Sequence, residues 1–162
     1  MNIYEHNFIT LQGASMPLNR FQGQPILIVN TATRSRYATQ FSQLEKIWQD
    51  YHNSGLVVLA IPTNNFAEKE PGEDEVIESF LEHQYHINFP VSRKEHVCGR
   101  EAHPMYRQLA EELGNDYLPR WNFFKILFDS RGEFVNIWPS AIDPTDQSIT
   151  HAIELNLHSW VL

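Results

Sequence analysis

Cysteine is almost absent from this chain: Cys98 is the only one in 162 residues. No intramolecular disulfide can form, and the thiol content gives no sign of an oxidising compartment. Basic residues are also scarce, 12 Lys and Arg against 20 Asp and Glu, for a formal net charge of -8. That balance favours solubility and argues against a general affinity for phosphate backbones, so nucleic acid is not an expected partner. Long apolar runs are missing, the longest falling well short of the ~20 residues that span a bilayer. The opening "MNIYEHNF" has no basic segment followed by an apolar one, so a cytoplasmic protein with no membrane attachment is expected. Internal repeats and low-complexity stretches are lacking, and the length suits one domain, residues 1–162, with one sizeable core.

What is present alternates between strand and helix signals. Residues Ile3 to Thr10 and the following "GASMPLNRFQG" suggest a short antiparallel hairpin ahead of the main sheet. The unbroken apolar run from Ile26 to Val29 predicts a buried strand, and from Ala38 to His52 the residues Phe41, Leu44, Ile47, Trp48 and Tyr51 fall at helical spacing before "NSG" stops the helix. "LVVLAI", from Leu56 to Ile61, predicts a second buried strand, completing a right-handed parallel unit. "EPGEDE" opens a helix that runs to about Tyr85, and Pro104 opens another that Gly114 stops. "INFPV" reads as a short strand or extended segment. "FFKILFD" and "EFVNIWP" are two strands joined by the tight-turn signal "SRG", and a last helix covers "DPTDQSITHAIELNL". The fold class is α/β, a mixed central sheet with helices on both faces.

Ser35 sits where the first buried strand feeds its helix, in "PILIVNTATRSRYATQF". Free backbone N–H groups and a helix dipole at such a turn stabilise a thiolate, and a serine hydroxyl gains almost nothing from them. It does not ionise usefully near neutral pH and cannot pass through sulfenic acid to a disulfide. A hydrolase nucleophile would need a base and bracketing glycines, and neither accompanies Ser35. Arg34 and Arg36 on either side make the turn locally basic, suited to binding anionic thiols or small acids, although exposed arginines are commonly just solvated.

The stretches "RFQGQPILIVNTAT", "LEKIWQDYHNSGLVVLAIPTNNFAEKEPG", "NFPV" with "AHPMYRQL", and "RWNFFKILFDSRGEFVNIW" occur in an order and spacing that resemble the glutathione peroxidase family, from about Ile3 to the last helix. The resemblance implies a thioredoxin-like fold and a catalytic tetrad of cysteine or selenocysteine, glutamine, tryptophan and asparagine, with no further cofactor. In this chain those positions fall on Ser35, Asn65, Trp121 and Asn122. Trp121 and Asn122 match, and both could donate a hydrogen bond to a developing chalcogenolate. Asn65 keeps the amide one methylene short, and the resolving cysteine of many thiol-using members is Glu82 here. The short stretch between Leu109 and Arg120 lacks the insertion of tetrameric members, so the resemblance implies a monomer or weak dimer.

Three readings of function follow. The favoured one is a glutathione peroxidase-like pseudoenzyme of peroxide and thiol redox and oxidative-stress response, which has kept its pocket and lost hydroperoxide reduction. In the second, Ser35 replaces a native cysteine or selenocysteine, and the native protein reduces hydroperoxide with a thiol reductant, glutathione or thioredoxin. The third is a non-catalytic binding or regulatory module. Cys98, near Gly99, Arg100 and a helix start, could have a modestly lowered pKa, but it matches neither the peroxidatic nor the resolving position. His83, His86, His96 and His103 suit surface or capping roles better than a metal site, because no cysteine or dense carboxylate set completes one.

Overall fold

The computed structural model describes residues 1–161, with side chains through Leu157. The N-terminal hairpin pairs β1 (Asn7–Ile9) with β2 (Ser15–Pro17), Phe8 facing Met16 across it. Four strands form the main sheet in the order β4 (Val57–Pro62), β3 (Ile26–Thr31), β5 (Lys125–Phe128), β6 (Phe134–Trp138). β3 runs parallel to β4 and antiparallel to β5, and β5 pairs antiparallel with β6, so the sheet is mixed. Every residue of β3, β4 and β5 is buried, as strands covered on both faces require.

Alternation along the strands sorts the core into two layers. Ile26, Ile28, Leu59 and Ile126 pack with Phe8 of the hairpin and with Met105, Tyr106 and Leu109 of α3 (Pro104–Leu113). Leu27, Val29, Val58 and Leu127 face the other way, onto Phe41, Leu44 and Ile47 of α1 (Gln40–Tyr51) and onto Ile149 and Ile153 of α4 (Gln147–Val161). The same layer takes in Ile77 of α2 (Asp74–Phe80).

Several boundaries differ from the sequence reading. α1 starts at Gln40 rather than Ala38, because residues 33–39 form consecutive turns instead of a first helical turn. The helix expected to reach Tyr85 is α-helical only to Phe80, then widens into a π-type turn over Leu81–Tyr85 that ends on His86 in the left-handed region, φ 53°. "INFPV" stays extended and meets the main sheet at an isolated parallel bridge, Ala60 with Val91, while the next residue, Ser92, bridges to Thr10 after β1. Gly132 in the β5–β6 turn has φ 84°, and a Cβ there would collide with Asn2 and Tyr4. Among the described residues no helix is long and apolar enough to cross a membrane.

Candidate active site

β3 ends beside the start of β5, and the segment that leaves β3 and the one that enters β5 make the site. Asn30, near the end of β3, ties these segments together: its Nδ2 donates to the Trp121 carbonyl (2.9 Å), and its own carbonyl accepts from Phe123 N (2.7 Å). Phe123 holds a left-handed φ of 68° and packs edge-on against Phe41 of α1. That conformation costs a non-glycine residue energy, which its burial and the bond to Asn30 offset. Trp121 is left on the surface, 38% exposed, with its ring 6.0 Å from that of Phe66.

The turn carrying Ser35 is held from below. Thr33 donates its backbone N–H and its hydroxyl to the buried carboxylate of Glu70, and Arg34 N donates to the Lys69 carbonyl (3.0 Å). Glu70 is fixed in turn by Asn64, whose Oδ1 accepts from Glu70 N (2.9 Å), while Lys94 Nζ reaches the carbonyls of Glu70 and Gly72. Burial pushes the Glu70 carboxyl above its usual range, opposed by the two Thr33 hydrogen bonds and by the Lys94 and Arg34 cations.

Ser35 is only 7% exposed, and its Oγ accepts from Tyr37 N at 3.1 Å. The serine lies five residues before α1 begins, so the helix dipole acts on it less than a serine at the helix terminus would feel. The polarising donor is instead the Tyr37 N–H of its own turn.

Ser35 and Trp121 line one cavity of about 800 Å3. Its polar rim holds Arg34, Arg36, Lys69 and Arg120, with Asp116 as the one carboxylate, paired to Arg120 at 3.2 Å. Arg36 lies over the Tyr37 ring, 5.0 Å from its centroid, and donates to the Tyr37 hydroxyl. Phe124, Ile137 and Pro139 make the wall apolar. No histidine lines the cavity among the described residues, so Ser35 has no imidazole base there.

The other two expected residues point elsewhere. Asn65 spends its amide on the loop before α3, accepting from Val97 N (2.7 Å) and bonding His96 Nδ1 (2.9 Å). Asn122 is fully buried, with Nδ2 3.3 Å from the Phe66 carbonyl and Oδ1 lacking a hydrogen-bond partner. Glu82 lines a separate groove with Glu78 and His86.

Cys98 sits half-buried in the loop before α3 and outside the cavity, and burial pushes its thiol up. This corrects the expected lowering: the loop leaves Cys98 beside no helix terminus, since α3 starts only at Pro104 and is capped by His103. His103 Nδ1 accepts from Met105 N (3.1 Å), Nε2–H donates to the Asn7 carbonyl (2.7 Å), and the ring stacks on Phe8. His83 bonds back to Ser79, and His96 to Asn65 and Glu101.

Comparison with known proteins fits this arrangement. Residues 3–110 match the model of the glutathione peroxidase family. The chain belongs to the glutathione peroxidase family. It is 35% identical over 150 residues to the glutathione peroxidase homolog BsaA of Bacillus subtilis, covering 90% of this chain and 93% of that protein. With the glutathione peroxidase-like peroxiredoxin 2 of Saccharomyces cerevisiae it shares 35% identity over 144 residues, 85% of this chain and 88% of the relative. The crystal structure of T. cruzi GPX1 superposes with a TM-score of 0.77 at 25% identity, covering 98% of this chain and 97% of the other. A thioredoxin family protein of Chlorobium tepidum, 15% identical, shares the thioredoxin-like fold with a TM-score of 0.65, covering 97% of both chains.

Sequence reasoning passed over Glu70 and Lys125. "EPG" reads by itself only as a helix start, whereas a lysine inside "FFKILF" is a signal, since an amine in a strand buried on both faces must find carbonyls.

Proposed function

We propose that this chain is a glutathione peroxidase-family protein that, with serine at position 35, does not carry out thiol-dependent hydroperoxide reduction and keeps the cavity as a binding site for an anionic thiol or small acid. The observation that carries this reading is Ser35 itself, a nearly buried hydroxyl at the cavity position where the family resemblance places the redox-active sulfur or selenium. Relatives named as peroxidases and peroxiredoxins support peroxide and thiol redox as the chemistry of the family. That chemistry needs an atom that can be oxidised by peroxide and reduced by thiol, and a hydroxyl offers no state comparable to a sulfenate. The one thiol, Cys98, does not line the cavity. Four cations around an apolar wall suit a ligand with carboxylates and a non-polar segment.

A second reading, in which the native residue at position 35 is cysteine or selenocysteine, draws support from the intact Thr33–Glu70 anchor beneath the turn. The test is NADPH oxidation coupled to glutathione or thioredoxin with hydrogen peroxide. Turnover at the protein-free background is expected, and a rate above it that survives Cys98→Ser would overturn the proposal. Binding is tested by calorimetry with glutathione as the probe, where an Arg34→Ala, Arg36→Ala double variant should weaken the interaction.

A further inference from the structure

We propose that Lys125 is a positioning residue for the cavity: from inside the sheet it holds the loop 139–142 that forms the wall facing the Ser35 turn, although it never touches the cavity itself. Lys125 is wholly buried at the start of β5 and alternates onto the α1 face of the sheet with Leu127. Its Nζ lies 3.0 Å from the Ser140 carbonyl and 2.5 Å from that of Ile142, with the Pro139 carbonyl at 3.4 Å. The ε-amino group has three N–H donors as an ammonium and two as a neutral amine, and the three carbonyls in its reach come from one short loop. α1 supplies a second tie through Gln40 Nε2, which donates to the same Ser140 carbonyl at 2.8 Å.

Pro139, Ser140 and Ala141 line the cavity together with Ser35, whereas Lys125 and Gln40 do not. The loop has no strand or helix of its own over these residues, so few backbone bonds compete with the two side chains in setting its place. Removing the amine would take the side-chain donor from the Ile142 carbonyl and leave those of Ser140 and Pro139 with only Gln40 Nε2 and Ile142 N, so the loop could move off the cavity. A buried lysine kept only for stability would be a poor choice, since an apolar side chain of similar volume often serves as well or better.

The experiment uses Ser35→Cys protein, with Cys98 retained as an internal reference and iodoacetamide as the probe, both sites being followed by mass spectrometry. Lys125→Met should raise the alkylation rate of the introduced thiol about fivefold relative to Cys98, the shift in an opening equilibrium expected when a net hydrogen bond is lost. General destabilisation would accelerate both thiols together, so the ratio separates positioning from stability.

Gln40→Leu provides a second variant, and its Oε1 is already a buried acceptor without a hydrogen-bond partner, so its loss is well tolerated. It should move the ratio in the same direction by less, and the double variant by less than the product of the two, because both side chains hold one carbonyl. An unchanged ratio in both single variants would overturn the proposal. The importance of the wall for ligands rests on the cavity reading above, but the labelling ratio does not. Loss of glutathione binding in the parent protein with a changed ratio sinks that reading alone, and intact binding with an unchanged ratio sinks this one alone.

Discussion

Thr33 gives both its backbone N–H and its hydroxyl to the carboxylate of Glu70, so a buried side chain, with the adjoining Arg34 N to Lys69 carbonyl bond, anchors the turn that carries Ser35 to the loop before α2. Thr33 lies two residues from Ser35 in sequence, and neither it nor Glu70 lines the cavity. The anchor explains how the turn keeps its shape although α1 begins only at Gln40.

Glu70→Ala should cost about 1–3 kcal/mol, because it leaves the Thr33 donors without their acceptor. The pH dependence has a definite sign. Burial raises the Glu70 pKa, so the folded protein holds the proton to higher pH than the unfolded chain does. The stability this contributes is fully present below the ordinary value of 4.5 and lost as pH rises through the raised one. Urea titrations from pH 4 to 7 should show the parent losing stability relative to Glu70→Gln across that window. A parent that gains stability relative to Glu70→Gln as pH rises would contradict the buried-carboxyl account.

Lys125 behaves in the opposite sense. Burial lowers its pKa to about 7, opposed by Asp143, so between that value and the ordinary 10.5 the unfolded chain carries the proton and the folded protein does not. Stability should therefore rise with pH above 7, by at most about 1.4 kcal/mol per pH unit from this group. Lys125→Met should remove that rise. Chemical denaturation at pH 7, 8 and 9 measures it, and parallel profiles for parent and variant would show that the buried amine keeps its proton throughout.

His103 carries a third titration. It caps α3 as a neutral ring, with Nδ1 accepting from Met105 N, and protonation would turn that acceptor into a donor. Burial already lowers its pKa below 6.5, so its contribution to stability is present above 6.5 and lost as pH falls through the lowered value. Thermal melts of the parent and His103→Asn between pH 7 and 5 check this, because asparagine can cap without titrating. The parent should lose more stability than the variant.

The periodicities in the sequence were enough for the sheet and its covering helices, since Ile26–Val29 and Leu56–Ile61 are apolar runs with one physical solution. The turn around Ser35 was harder to read. Residues 33–39 have a composition that could start a helix, and their real constraint is Glu70, 37 residues away in sequence from Thr33. Asn65 illustrates the same limit: its amide is claimed by Val97 N and His96, partners that no local pattern announces. Long-range hydrogen bonds to single side chains leave no period to detect.

Cys98 should titrate above the free cysteine value of about 8.5, because burial raises its thiol and no helix terminus or cation offsets it. Iodoacetamide labelling followed from pH 6 to 10 measures the midpoint. A midpoint below about pH 6.5 would mark an activated thiol and reopen peroxide chemistry away from Ser35.

Placing sulfur at position 35 should give only half of a catalytic cycle. In Ser35→Cys the new thiolate would take the place of an oxygen that already accepts from Tyr37 N, and Arg34 and Arg36 flank it on the cavity rim. These donors and charges should bring its pKa below about 8.5 and make attack on peroxide feasible, oxidising the sulfur to sulfenate as the peroxide bond breaks and water or an alcohol leaves. Completion requires a second thiol. Glu82, on which the family resemblance would place a resolving cysteine, lines a different groove, and Cys98 lies outside the cavity, so the sulfenate must wait for an external thiol or oxidise further. Mass spectrometry after one equivalent of hydrogen peroxide should find the introduced residue as sulfenate or sulfinate, or as a mixed disulfide when glutathione is present, with no disulfide to Cys98. Recovery of an unoxidised thiol in a folded variant would mean that the turn, though anchored by Glu70, no longer activates a nucleophile.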